Sequence, residues 1–544
     1  MEISTIPVDV DAAVAGRAGV FAWLKNAGIV KLNLVLVLSL ISSYTTGFDS
    51  SMMNGLQSLD TWKAYFGNPD ASDLALLNAI QNVGQLVSLP FCAWVCDYFG
   101  RRAGLLTGAF ILTVGVALQG GAQNTGMFIA ARGILGFGLA LNITAAPLLV
   151  MELAYPSQRA PLVSIYNGLW SLGALIAAWA TYGTFRLESD WAWRIPSLLQ
   201  ALSSVLQLGL CFCIEESPRW LMAQELEEPA RRLIVKYHAN GEEFDPVVAL
   251  EMEEIRTALR LEHEATRSAS YRSFFRTLGN RKRFWIILAV SFFSQWSGNG
   301  LISYYLSLIL DSIGYTAQST QTLVNALPTL WNLFWGIAFS LIVNRFGRRT
   351  LFLASTAGCL VCYIIWTILE AKYEMATNLY TGQGGPPGLA KAVVAIIFIY
   401  NMVFSVGWGP LQVTYVVEIL PYHLRARGLV LYNLFVALAL IFNQYANPIG
   451  IENSGWKYYI TYDVWLLVEL LVVYFLFVET SNLSLEETAA VIDGEEMQNK
   501  SMESVIRNTE KNVELARVVA EAEADDSEAP QPKSSDTGRS AFHR

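Results

Sequence analysis

Twelve stretches of about 20 mostly apolar residues decide what this chain can fold into. They run over 31–54, 75–96, 103–123, 127–151, 161–183, 195–214, 284–311, 320–343, 350–371, 390–415, 428–449 and 456–478. A run of this length crosses the hydrocarbon of a bilayer as a helix, which satisfies every backbone N–H and C=O within itself. Charged residues make up 15% of the chain, against about a quarter in soluble proteins, so charge has been cleared from these runs. The fold class expected is an all-α membrane protein of twelve transmembrane helices.

The loops fix an orientation. One set carries Arg101, Arg102, Arg159, Arg345, Arg348, Arg349, Arg425 and Arg427, and the central segment 215–283 adds twelve Lys or Arg. The opposite loops hold only Lys63, Arg186, Arg194, Lys372, Lys391 and Lys457. Positive loops stay in the cytosol, so both termini and the central segment are expected there, in a multi-pass protein of the cell membrane. Within that segment, 226–238 and 247–265 have apolar residues at helical spacing and read as short surface helices. The organisation expected is a cytosolic segment 1–30, six helices over 31–214, a linker 215–283, six more helices over 284–478, and a polar tail 479–544 read as mostly disordered. The N-terminus has no basic-then-apolar start, so the first span is expected to be its own signal anchor.

The six cysteines fall inside apolar runs and read as buried side chains, including Cys359 and Cys362 at a redox-like spacing. No metal or cofactor site is expected. The net charge of −9 does not suggest a nucleic-acid partner. With no nucleophile–base pair, metal cluster or nucleotide loop, the chain does not read as an enzyme.

The two halves repeat one another. Asp97-Tyr-Phe-Gly-Arg-Arg102 follows the second span and Asn344-Arg-Phe-Gly-Arg-Arg349 the eighth. Glu152 with Arg159 follows the fourth span, and Glu418 with Arg425 the tenth. Two similar bundles can rock about a site at their interface and expose it to each side in turn. Asp97, Arg101, Arg102, Glu152, Arg159, Arg348, Arg349, Glu418 and Arg425 are expected to form a cytosolic gate, paired across the bundles when that side is shut. The bland alternative is that they anchor helix ends at the headgroups.

Asp49 and Arg132 are the prominent charges deep within spans, where one costs roughly 2.5–3.5 kcal/mol on insertion scales. Glu469 also lies in a span and receives no role. Uncharged polar and aromatic side chains are plentiful there: Asn167, Gln295, Asn299, Tyr304, Tyr305, Gln412, Tyr415 and Asn443 are the candidates for binding a neutral solute. Gln81, Asn142, Asn325, Asn332, Gln444 and Asn447 add to this set, although amides in a bilayer also join helices.

These residues resemble the sugar porter family of the major facilitator superfamily over about residues 40–490. The resemblance rests on Gly47-Phe-Asp49, the two Gly-Arg-Arg loops, Arg132-Gly, the Glu/Arg pairs, Glu216-Ser-Pro-Arg-Trp-Leu221, Tyr304-Tyr305 and Glu479-Thr480 with Leu485-Glu-Glu487. Tyr166-Asn-Gly-Leu-Trp170, Gln295-Trp-Ser-Gly-Asn-Gly300 and Phe442-Asn-Gln-Tyr-Ala-Asn-Pro448 are similar to its fungal lactose-permease-like branch. The chain departs from the wider family at Asn167, Gly300 and Val413, where many members carry Gln, Asn and Trp.

The resemblance implies the major facilitator fold of two pseudo-symmetric six-helix bundles, in a monomer among membrane lipids. It implies a proton-coupled sugar symporter, with Asp49 as proton acceptor and Arg132 as its partner. The cargo is left open between a disaccharide, such as lactose or cellobiose, and a hexose. A passive sugar facilitator and a non-transporting sugar sensor are the alternatives.

Overall fold

The computed structural model describes residues 26–268, 271–379 and 385–481, with 488 and 491–492. The N-terminal 1–25, most of the tail with its motif at 485–487, and the side chain of Asn167 lie outside the described residues.

The protein is a bundle of twelve membrane-crossing helices. The first half contains α1 (Ala27–Leu56), a short α2 (Asp60–Tyr65), α3 (Ala71–Tyr98), α4 (Arg101–Gly120), α5 (Thr125–Leu153), α6 (Arg159–Thr184), α7 (Trp191–Leu199) and α8 (Leu202–Gly209). The linker carries α9 (Pro218–Ala223), α10 (Glu227–Tyr237) and α11 (Pro246–Ser268). The second half contains α12 (Leu278–Trp296), α13 (Asn299–Ser312), α14 (Gln318–Ile342), α15 (Arg348–Leu379), α16 (Pro387–Ile419), α17 (Tyr422–Ser454) and α18 (Lys457–Leu476). No strand occurs among the described residues.

Nine helices among the described residues are long and apolar enough alone to cross a membrane. The remaining spans are the informative ones. The sixth, expected as one helix, is α7 and α8 with a turn at Gln200–Ala201 between them. The seventh, also expected as one helix, breaks at Ser297–Gly298, where Gly298 takes φ +97°, a conformation that favours glycine. The eighth, α14, is diluted by Gln321, Asn325 and Asn332.

Each half packs its own apolar surface. In the first, α1 lies on α6, and α3 and α4 lie on α5; in the second, α15 lies on α16 and α18, and α12 on α17. Aromatic side chains fill the interior, with Trp62, Phe66, Phe128 and Trp193 grouped in one half and Phe293, Phe352, Trp408 and Phe477 in the other. The halves meet along α3 with α17, α6 with α14, and α1 with α13.

The linker is tied to the first half. His238 on α10 is buried; its Nε2 donates to the carbonyl of Leu153, at 3.1 Å, and its Nδ1 faces the Glu251 carboxyl of α11, at 2.9 Å. A carbonyl can only accept, which assigns that ring hydrogen. Asn240 accepts from the Gly28 amide, 2.8 Å away, and secures the start of α1.

Candidate functional site

Close helix crossing positions the buried charges. A Cβ at Gly136 of α5 would sit 2.0 Å from the Gln81 carbonyl of α3, so only glycine permits this approach. One turn away, Arg132 reaches across the same crossing. Its Nε donates to the Leu77 carbonyl at 2.7 Å, one Nη donates to Gln81 Oε1, and the other lies 3.5 Å from Asp49 Oδ1. Gln200, at the turn between α7 and α8, donates to the same Asp49 oxygen at 2.8 Å. Asp49 Oδ2 is buried with no hydrogen-bond partner. Both charged residues are almost wholly buried, at 1% and 2% exposure, so the pair does not face lipid. The expectation that these two charges meet holds; Gln200 was invisible because it is one amide among many.

The polar candidates gather at the two interruptions of the seventh span. Asn443 of α17 donates to the Gln295 carbonyl at 2.8 Å, and its Oδ1 accepts from Asn447 and Tyr462. Asn299 donates to the Ser294 carbonyl at 3.2 Å, while its Oδ1 is buried without a partner. Tyr305 is fully buried, and its hydroxyl donates to the Gln444 carbonyl. Gln444 in turn accepts from Asn82 of α3, which joins the halves. Tyr304, the residue before the second interruption, is half-buried.

A second interruption falls at Tyr305, with φ −135° and ψ 25°. Asn54 of α1 fits into it. The side chain donates to the Ile302 carbonyl at 3.2 Å and to Asn325 at 2.8 Å, and accepts from the Leu306 amide at 3.2 Å. At the same end Lys63 lies 3.9 Å from Asp311. Asn54 carries no sequence signal, since no proline or glycine marks this break.

The other two candidates lie on α16. Tyr415 is fully buried near the end of α16; its hydroxyl donates to the Val478 carbonyl and accepts from the Val478 amide, at 2.9 and 2.8 Å. That hydroxyl fastens α16 to the chain after α18, because a buried phenol needs such partners. Gln412 donates back to the Trp408 carbonyl and accepts from Tyr432 at 3.1 Å.

The repeated charges of the expected gate pair inside each half in this structure. Arg101 pairs with Glu152 at 3.0 Å and Arg348 with Glu418 at 3.4 Å, each within its own half and not across the interface. Asp97 is one turn from Arg101 and largely exposed. Arg159 lies 4.0 Å from Glu254 of the linker, and Arg425 Nε is buried without a hydrogen bond. Two further glutamates complete the pattern. Glu216 accepts from the backbone amides of Arg101 and Arg102 at the start of α4, and Glu479 from those of Arg348 and Arg349 at the start of α15. A carboxylate at a helix N-terminus meets free N–H groups and the positive end of the helix dipole. Burial pushes the Glu216 carboxyl above its ordinary range, and the amides of Ser217, Arg102 and Arg101 oppose the shift. Arg102 and Arg349 donate to the carbonyls of Cys211 and Tyr474.

Twelve helices in two like halves, with a buried ion pair and an amide-rich interface between the halves, define a multi-pass membrane transporter. The chain belongs to the sugar transporter family: the family described as "Sugar (and other) transporter" matches residues 34–492. An MFS-type transporter, criB, of Aspergillus cristatus is 27% identical over 89% of this chain and 99% of its own length. High-affinity glucose transporter 1 of Candida albicans is 26% identical over 85% of this chain and 86% of its own. Among solved structures, the inward-open xylose transporter XylE of E. coli superposes with a TM-score of 0.67 at 21% identity. It covers 85% of this chain and 99% of its own, and shares the fold. The family is one of carriers, so the chain is not an enzyme.

Proposed function

We propose that the protein imports a neutral sugar together with a proton by alternating access. The observation that carries this reading is the buried Asp49–Arg132 pair with one carboxylate oxygen unpartnered. A proton arriving on Asp49 Oδ2 leaves the Oδ1 contacts to Arg132 and Gln200 in place and removes the charge between them. Arg132 keeps its own charge at any working pH. The attraction across α1, α5 and α7–α8 then weakens, and the first half is free to rearrange. One charge crossing the membrane contributes about 2.3 kcal/mol per 100 mV, enough to accumulate an uncharged solute.

Gln295, Asn299, Tyr304, Tyr305 and Asn443 are the proposed sugar contacts in the second half, with Asn167 and Gln412 as further candidates. They offer amides and hydroxyls for sugar hydroxyls and aromatic faces for C–H surfaces. The glucose and xylose transporters among the relatives support a sugar cargo. The motifs at 166–170, 295–300 and 442–448 support the fungal lactose-permease-like branch. The basic loops support a cytosolic placement of both termini and of the paired Arg–Glu clusters, in the cell membrane.

The test is radiolabelled uptake in a transporter-null cell, with glucose, xylose, lactose and cellobiose as competitors. Asp49→Asn is expected to abolish accumulation against a gradient while leaving exchange at equilibrium. Accumulation that persists in Asp49→Asn and collapses with an uncoupler removes Asp49 from proton coupling.

A further inference from the structure

The second half holds a buried carboxyl of its own. Glu469 of α18 is 0% exposed, and no Lys, Arg or His pairs with it among the described residues. Its partner is the hydroxyl of Ser297, 2.9 and 3.0 Å from the two carboxyl oxygens. Ser297 stands at the break between α12 and α13, beside Gly298.

The hydrogens around this break can be counted. The Ser297 hydroxyl has one hydrogen and faces three acceptors, the Phe293 carbonyl at 2.5 Å and both Glu469 oxygens. The neighbouring tyrosines have none to spare. Tyr400 of α16 donates to the Ser297 carbonyl and Tyr363 of α15 to the Gly298 carbonyl, each at 2.8 Å. Cys359 of α15 is the other titratable neighbour, and it brings no positive charge. An ionised Glu469 would compete with the Phe293 carbonyl for a single hydrogen, and a buried, unpaired carboxylate costs several kcal/mol. A protonated Glu469 resolves the count: its O–H donates to Ser297 Oγ, and the serine hydrogen goes to Phe293.

We propose that Glu469 is a proton-binding site of the second half, separate from Asp49, whose bound proton holds the Ser297–Gly298 hinge of the seventh span in its bent form. Loss of that proton puts a charge beside the hinge with no cation to meet it. The hinge hydroxyl then turns from Phe293 to the carboxylate, and the bent form is weakened.

The experiment uses the full-length protein in lipid nanodiscs and needs no substrate. Infrared difference spectra of wild type minus Glu469→Gln at neutral pH are expected to contain the C=O stretch of a protonated carboxyl, shifted in heavy water and retained in Asp49→Asn. Carboxylate bands in its place would overturn the assignment. Hydrogen exchange of peptides spanning 290–312, corrected for intrinsic rate, is the second measurement. Protection is expected to fall about tenfold from neutral to alkaline pH in wild type and to stay constant in Glu469→Gln. An equal fall in both proteins would separate the hinge from Glu469. Because neither readout involves transport, failure here and failure of proton–sugar symport at Asp49 are distinguishable.

Discussion

The start of α4 and the start of α15 are held in the same way, whereas Asp49 and Glu469, both buried, are held in opposite ways. Glu216 and Glu479 each accept from two successive backbone amides, and the arginines beside them pair with Glu152 and Glu418 in parallel geometry. Deeper in the membrane this likeness ends. In the first half the fourth span contributes Arg132, which faces Asp49. In the second half the corresponding span contributes Tyr400, whose hydroxyl binds a backbone carbonyl beside Glu469. A permanent cation stands in one half and a neutral donor in the other. The repeat therefore preserves what keeps each bundle rigid at its charged end and lets the interiors diverge, which is where a carrier's two halves need different tasks.

The sharpest way to break this comparison is to remove the cation. Arg132→Leu leaves Asp49 buried without a counter-charge and is expected to cost about 3–5 kcal/mol. The fall in unfolding midpoint in detergent checks it, and a negligible change would show that the pair carries no stability. Truncating the helix-end carboxylates tests the likeness. Glu216→Ala and Glu479→Ala are each expected to cost about 1.5–3 kcal/mol by the same measurement, because each removes hydrogen bonds to a charged group. Unequal losses would mean that the two ends are not equivalent. Glu469→Gln exchanges one neutral group for another and is expected to cost under about 1.5 kcal/mol, in contrast to Arg132→Leu. Tyr415→Phe removes only the bonds to Val478, at about 1 kcal/mol, and leaves half-saturation of uptake unchanged. A shifted half-saturation would return Tyr415 to the sugar-binding set.

Much of this was legible in the sequence because a bilayer constrains side chains so severely. Charges within spans need partners, so Asp49 and Arg132 could be expected to meet. Loop signs and apolar run lengths gave the helices their order. What was not legible depended on which amide faces which gap. Gln200 and Asn54 carry no mark that separates them from Asn142 or Gln207. The break at Tyr305 has neither proline nor glycine to announce it, and the turn at Gln200–Ala201 is equally silent. The Arg–Glu clusters were recognisable as a repeat, but spacing could not say whether they close within a half or between halves.

The amide of Asn54 has a mechanical consequence. In an unbroken helix the Leu306 N–H and the Ile302 C=O, four residues apart, would bond to each other. Asn54 supplies both with a substitute from the opposite bundle. If α1 and α13 part, the two backbone groups can pair at once, and neither is stranded in a medium without water. The seam between α1 and α13 can thus unfasten by swapping one set of bonds for another, with little net cost on either side of the exchange.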